Sequence, residues 1–275
     1  VSAEALIQRM TPPTAIAQCM RTVSAGDRTE PRELLAALIN AGYERVDMCE
    51  GKGQVCLGGG YLDVFPISMA NPVRIEFFDD EIDTMRTYDA VSQRSIENID
   101  RCVIPPATEM PLTKEARTRG MRALRKTEGM KEEYDRLSEG GIPLGLEMLM
   151  PLFYPEAFIT DYLPEGAIIL IDEPQRVEES AKLAFTTHLD RVGSYIHEGT
   201  ALPEQAELIC QPSHILQSLD TPYTAMLFAL TRTYGLIKPK CLFRFETRPM
   251  AKYIGNTPAL AADIEGWKRG GSTVM

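Results

Sequence analysis

Residues 59–95 read GGYLDVFPISMANPVRIEFFDDEIDTMRTYDAVSQRS and carry the clearest strand pattern of the chain. Inside this stretch Val73, Ile75 and Phe77 alternate with other residues, and alternate side chains of a strand point to opposite faces of its sheet. These three residues therefore form the predicted core face. Strands with the same period of two are predicted at 43–49, 54–57, 61–65, 73–78, 84–88 and 99–104. Because tight turns join these short strands, we expect an antiparallel sheet and assign residues 41–112 to one small β-rich domain.

The sequence on both sides of this domain favours helices and buried strands. A helix is predicted from about Pro31 to Gly42, whereas residues 14–23 fit a strand or a helix equally well. After residue 113, helices are predicted at 114–125, 130–137, 144–152, 176–198, 213–218 and 258–268, and strands at 167–171, 224–230 and 241–245. This alternation is typical of an α/β domain with a mostly parallel sheet. We therefore predict an α/β domain formed by residues 1–40 and 113–275 and interrupted by the β-rich domain.

Composition narrows the class of function. The chain has 275 residues and a formal net charge of −10, which argues against a basic surface that grips nucleic acid, although a local basic patch would still allow direct DNA binding. Its six cysteines show no CxxC spacing, so free, reduced thiols in a cytoplasmic protein are expected rather than a zinc site. No apolar run is long enough to predict a membrane span.

Two acidic residues are the candidates for nucleotide chemistry. The run AIILIDEP at 167–174 places Asp172 and Glu173 at the end of an apolar strand, as in the Walker B segment that holds Mg²⁺ and orients the attacking water. The phosphate-binding pattern GxxxxGK[ST] is absent, and the glycines at 58–60 lie between strands rather than before a helix. The alternative is a strand, buried on both faces, whose acidic end faces solvent.

Arg74 and Phe78 are the candidates for partner binding. Both lie on the face of strand 73–78 opposite to the predicted core, where an exposed aromatic ring beside a planar cation has the composition of an interface hot spot. The alternative is that Phe78 covers a small satellite core. The pattern alone does not separate these two interpretations.

Three segments carry a family resemblance: LDVFP at 62–66, PVRIEFFDDEID at 72–83 and SQRSIENID at 92–100. Together they resemble bacterial transcription-repair coupling factors, in the N-terminal region that is itself similar to the excision-repair protein UvrB. The resemblance implies a degenerate helicase-like (UvrB-like) α/β domain with an inserted β-rich domain that binds UvrA through Arg74 and Phe78. The family usually has an arginine five residues before Asp63, where this chain has Gly58, so one charge-assisted contact is expected to be missing.

The resemblance also implies a division of labour in nucleotide excision repair. This region is expected to be a binding module with no enzymatic activity, cofactor or metal of its own, and Asp172 and Glu173 mark a degenerate nucleotide site. The longer parent protein is expected to be an ATP-dependent DNA translocase that uses ATP and Mg²⁺ and reaches RNA polymerase and DNA through other domains. The rival hypothesis is a residual nucleotide-binding or ATPase domain that uses Asp172 and Glu173.

Overall fold

The computed structural model describes residues 1–229, 239–245 and 251–273. The chain divides into two compact units, Val1–Lys238 and Pro239–Met275. Up to residue 112 the elements are, in order, α1 (Ala3–Leu6), α2 (Pro13–Cys19), β1 (Arg21–Ser24), α3 (Pro31–Asn40), β2 (Glu44–Arg45), β3 (Gln54–Leu57), β4 (Tyr61–Val64), β5 (Val73–Phe78), β6 (Glu81–Tyr88), β7 (Ser95–Asn98) and β8 (Arg101–Ile104).

The six strands from β2 to β7 form one sheet in the order of the sequence. All neighbouring pairs are antiparallel except β2 and β3, which are parallel. The antiparallel β-rich arrangement predicted from the alternation is therefore present. Strand β8 does not join this sheet, because it pairs antiparallel with β1 in a separate two-stranded ribbon.

One hydrophobic core joins the sheet to α3. Leu34, Leu35 and Leu38 of α3 are buried in the same cluster as Val73 and Ile75 of β5, and Phe77 packs against this cluster. Helix α3 carries apolar residues at helical spacing and begins at Pro31, where the missing N–H of proline has no intrahelical partner to lose. The predicted core face of β5 is thus the face that α3 covers.

The packed unit is larger than the β-rich domain predicted at 41–112. Val23 of β1 and the apolar residues of α3 belong to the same core as the sheet. The predicted boundary at residue 41 falls directly after α3, which the sequence assigned to the α/β domain. The division into residues 1–40, 41–112 and 113–275 stays a prediction, and these contacts favour an earlier start near residue 21.

Two strands differ from their predictions for local reasons. The strand predicted at 43–49 is reduced to Glu44–Arg45, because the chain bends at Asp47 and Met48. It then turns near Gly51, where the Gln54 side chain accepts hydrogen bonds from the Glu50 and Gly51 amides. Strand β7 was not predicted, since all four of its residues are exposed and it has no alternation of buried and exposed positions.

Beyond residue 112 the described chain is mainly helical. The elements are α4 (Lys114–Leu124), α5 (Lys131–Ser138), α6 (Met150–Phe153), β9 (Ile169–Asp172), α7 (Pro174–His197), α8 (Pro212–Ser218), β10 (Thr224–Leu227) and α9 (Thr257–Arg269), with 3-10 helices at Leu146–Leu149, Ile159–Tyr162 and Pro203–Leu208. The residues predicted as one helix at 144–152 instead form the 3-10 helix Leu146–Leu149 followed by α6. The 3-10 helix begins directly after Gly145, which has a left-handed φ of 60°.

Strands β9 and β10 form a parallel pair, as expected for an α/β domain. The prediction of a strand buried on both faces is wrong here: Ile171 is buried against α7 and α8, but the Leu170 side chain is 65% exposed. Only one face of this two-stranded sheet is covered within the described part of Val1–Lys238. The continuous apolar run could not reveal this, because hydrophobicity reports a preference for burial and not which neighbour provides it.

The second unit contains α9, which agrees with the helix predicted at 258–268. The Asn256 side chain caps its N-terminus by accepting a hydrogen bond from the Ala259 amide. Residues 241–245 are described and form no strand, so that prediction is wrong. The predicted strand 224–230 ends at Leu227, and residue 230 lies outside the described residues.

All six cysteines are free, and five of them are buried. Burial raises the pKa of Cys49 to about 12 and the pKa values of Cys102 and Cys210 to about 11. We expect Cys241, the exposed thiol, to react alone with Ellman's reagent at pH 8, because the thiolate is the reactive form. Titration with the reagent should detect one fast-reacting thiol per native chain and six thiols per chain in guanidinium chloride. Two or more equally fast thiols in the native protein would contradict this packing.

The same thiols predict how stability changes at high pH. The Cys49 thiol ionises near pH 9.0 when unfolded and near 12 when folded, so above pH 9 the unfolded chain binds fewer protons than the folded chain. The contribution of Cys49 to the free energy of unfolding should therefore be constant below pH 9 and fall as the pH rises from 9 towards 12. Urea titrations across this range would measure the fall, and Cys49→Ala should reduce its slope. A constant free energy would contradict the prediction.

Within residues 1–229, 239–245 and 251–273, no helix combines the length and apolar composition that crossing a membrane requires.

Candidate partner-binding site

The outer face of the six-stranded sheet presents Arg74 at its centre. Strand register places Arg74 of β5 between Asp63 of β4 and Arg86 of β6. Because the side chains of β5 alternate, Arg74 points away from the core that Val73 and Ile75 enter. Two arginines directly opposite each other repel, so each needs a carboxylate of its own.

Asp63 is the carboxylate that pairs with Arg74. It accepts hydrogen bonds from Arg74 Nε at 2.8 Å and from Nη2 at 2.7 Å, which is the bidentate geometry that fixes a guanidinium in its plane. The Asp63 side chain is only 3% exposed, against 22% for Arg74. This hydrogen-bonded carboxylate raises the pKa of Arg74 above its usual range, so Arg74 stays charged.

Two tyrosine rings also lie close to the guanidinium group of Arg74. The Arg74 Cζ atom lies 4.4 Å from the centre of the Tyr61 ring and 5.0 Å from that of Tyr88, within the range of cation–π attraction. Tyr88 is buried, whereas Tyr61 is partly exposed at the start of β4. Arg74 is therefore held in one position before any partner arrives.

Arg86 pairs with Glu76, which lies two residues after Arg74 on β5. The Glu76 carboxylate accepts from Arg86 Nη1 at 2.9 Å and Nη2 at 2.8 Å, and from the Thr84 hydroxyl at 2.9 Å. The Thr84 hydroxyl and then Arg86 lower the pKa of Glu76. The two arginines and two carboxylates balance, so this face carries no net charge from its central residues.

Phe78 ends β5 on the same face and is 79% exposed. Its strand partner is Glu81, across the turn into β6. The ring does not cover a satellite core, so that alternative is wrong. The roles of Arg74 and Phe78 in binding stay predictions, although the structure places both on one face of one strand.

Gly58 lies under the Tyr61 ring. A Cβ atom built on Gly58 would stand 2.4 Å from Tyr61 Cε1, which is closer than real Cβ contacts. The Gly58 amide also donates to the Tyr61 carbonyl at 2.9 Å and closes the turn between β3 and β4. A side chain at residue 58, where the resemblance implies an arginine, would therefore displace the Tyr61 ring.

The acidic pair at 172–173 is used for the fold in this structure. Glu173 has a left-handed φ of 50° and links β9 to α7. Its carboxylate accepts a hydrogen bond from the Ala229 amide at 2.7 Å, and its own amide donates to the Leu227 carbonyl. Asp172 ends β9 and pairs in register with Leu227. In the part of the chain that is described, no cluster of three His, Cys, Asp or Glu residues is arranged to hold a metal.

The amino-acid sequence of this chain is similar to those of known proteins. Residues 22–110 match the UvrB interaction domain. The whole chain is 28% identical to a transcription-repair-coupling factor of Bacillus subtilis, and 96% of it is 30% identical to that of Myxococcus xanthus. A match to the Escherichia coli factor is 32% identical and covers 62% of the chain.

The chain belongs to the family of transcription-repair coupling factors. It spans about a quarter of the length of these relatives: 25% of the Bacillus subtilis protein and 22% of the Myxococcus xanthus protein. The UvrB interaction domain contains every residue of the outer face, and its start at residue 22 agrees with the core that β1 and α3 share with the sheet.

Sequence reasoning missed Tyr61, Asp63 and Tyr88. A signal for Asp63 was present, because an acid between Leu62 and Val64 in a strand must point away from the core and needs a partner there. No comparable signal marks Tyr61 or Tyr88, since register between strands decides which aromatic ring reaches Arg74.

The Tyr88 hydroxyl provides a test of the packing around Asp63. Burial, the charge of Asp63 and a contact between the Tyr88 hydroxyl and the Asp63 carboxylate raise the pKa of Tyr88, but within the described residues this contact does not reach hydrogen-bond geometry. Since an unpaired buried hydroxyl is costly, we expect Tyr88→Phe to leave the free energy of unfolding unchanged or raise it by up to about 1 kcal/mol. Chemical denaturation would measure this, and a loss above about 1 kcal/mol would show that the hydroxyl is paired.

Proposed function

We propose that this chain recruits UvrA to RNA polymerase stalled at DNA damage, in the transcription-coupled branch of nucleotide excision repair. The observation that carries this proposal is the exposed Phe78 ring, which shares the outer face of a UvrB interaction domain with Arg74, itself held by two hydrogen bonds to Asp63. Aromatic and arginine side chains on one surface are the typical composition of a protein interface hot spot.

The chain acts in this proposal as a binding module without catalytic activity. The polymerase contact, the DNA contact and ATP-driven translocation with Mg²⁺ belong to other parts of a longer parent protein, as the resemblance implies. Repair of the bacterial chromosome takes place in the cytoplasm, and we propose that the protein acts there.

Co-elution with purified UvrA of the same organism tests the binding role. We expect the chain and UvrA to co-elute in size-exclusion chromatography at micromolar concentration, and Phe78→Ala to abolish co-elution. Phe243→Ala is the matched control, since that ring is 80% exposed and lies outside the sheet. Separate elution of folded wild-type chain and UvrA would overturn the proposal.

The rival function is nucleotide binding at Asp172 and Glu173. The Glu173 carboxylate is engaged by the Ala229 amide, which opposes its use in orienting a water molecule or holding Mg²⁺. We therefore expect calorimetry to detect no heat of binding when the chain is titrated with millimolar ATP and Mg²⁺. ATP turnover by the purified chain, lost in Glu173→Gln, would instead support the rival.

A further inference from the structure

Tyr61 occupies a constrained position between Gly58 and Arg74. Its ring stands where a side chain at residue 58 would begin, and the Arg74 guanidinium carbon lies 4.4 Å from its centre. Gly58 does not have the left-handed φ that would itself call for glycine. The space that glycine leaves is therefore used by the ring, and the ring holds the arginine.

Tyr61 also belongs to the surface that a partner would meet. It is partly exposed and lies directly opposite Glu76, which shares the outer face with Phe78 two residues further along β5. Diagonal neighbours on adjacent strands lie about 7–8 Å apart, within reach of aromatic side chains. The register thus brings Tyr61, Arg74 and Phe78 to one region of the sheet.

We propose that Tyr61 is a third contact residue for UvrA, and that Gly58 is required because it gives the Tyr61 ring its place on Arg74. This inference rests on the proposed function and deepens it. The Asp63 pair uses Nε and Nη2 of Arg74 and leaves out Nη1, so a partner carbonyl can accept a hydrogen bond there while Tyr61 and Phe78 meet apolar groups.

Charge balance at this surface predicts the kind of partner patch. Arg74 is paired with Asp63 and Arg86 with Glu76, so the central residues carry no net charge towards a partner. The UvrA patch opposite these four residues therefore needs no net charge. We expect UvrA affinity to change less than about threefold between low and moderate salt, because these four residues present no net charge for salt to screen.

A double-mutant cycle tests the inference. Tyr61→Ala should weaken UvrA binding by about tenfold, and Tyr61→Phe should restore most of it, since the ring rather than the hydroxyl faces Arg74. Gly58→Ala should weaken binding to a similar extent in the wild-type chain and have no further effect in Tyr61→Ala. Tyr195→Ala, at a tyrosine 47% exposed on α7, is the control and should bind like the wild type.

The outcomes separate this inference from the proposed function. If Tyr61→Ala binds UvrA with wild-type affinity and Phe78→Ala loses affinity for UvrA, the role of Tyr61 is overturned and the proposed UvrA binding stands. Absence of binding by the folded wild-type chain would overturn the proposed function itself. An additive effect of Gly58→Ala on Tyr61→Ala would show that Gly58 acts independently of the ring and would also overturn the inference. If Tyr61→Ala does not fold, the variants Tyr61→Phe and Gly58→Ala test the role of the ring. Equal losses of UvrA affinity in these two variants would contradict that role.

Discussion

Phe78→Ala weakens UvrA binding by about thirtyfold or more in our account, which corresponds to about 2 kcal/mol for an interface hot spot. The ring is 79% exposed, so its removal takes little buried area from the fold. We expect the free energy of unfolding to stay within about 0.5 kcal/mol of the wild type, as for most surface substitutions. Titration of UvrA measures the first quantity and urea denaturation the second.

Phe245→Ala serves as a matched control for this result. Its ring is 81% exposed, yet it lies in residues 239–245 and not on the sheet. It should bind UvrA with wild-type affinity. Equal losses in the two variants would show that general surface hydrophobicity, rather than the end of β5, determines binding.

Arg74→Ala has a large effect on stability. It removes the bidentate partner of Asp63, whose side chain is only 3% exposed, and leaves a buried carboxylate without its cation. Breaking such a pair typically costs about 3–5 kcal/mol, and we expect about 3 kcal/mol because Arg74 itself is partly exposed. Urea denaturation of the variant would measure this loss.

A double variant identifies the cause of that loss. Asp63→Val combined with Arg74→Met replaces both charges with apolar groups, so we expect it to be more stable than Arg74→Ala alone. A loss below about 1 kcal/mol in Arg74→Ala would contradict a buried, paired Asp63. For the same reason Phe78→Ala, rather than Arg74→Ala, separates binding from folding.

The sheet could be predicted from sequence because its information is local. Alternation along residues 73–78 identified the face that packs on α3, and turn residues identified the antiparallel neighbours. The same alternation placed Arg74 and Phe78 on the opposite face. The ribbon of β1 and β8 was not predicted, since it joins segments about 80 residues apart in the sequence and no local pattern specifies that pairing.

The remainder of the site depended on distances across the sheet. The loss of a charged contact at Gly58 stays a prediction, and the structure adds that the Tyr61 ring lies in the space next to this glycine. The acidic residues at 172–173 resembled a catalytic pair, but the Ala229 amide, 56 residues further along the chain, uses the Glu173 carboxylate. In both cases the deciding neighbour is set by tertiary packing, which a motif does not contain.

Isothermal titration calorimetry of the wild-type chain with UvrA decides whether the chain binds this partner. We expect saturable binding with a dissociation constant in the micromolar range or tighter, and a negative heat-capacity change from burial of the apolar surface around Phe78. A folded chain that gives no heat of binding at any temperature, with co-elution also absent, would contradict it.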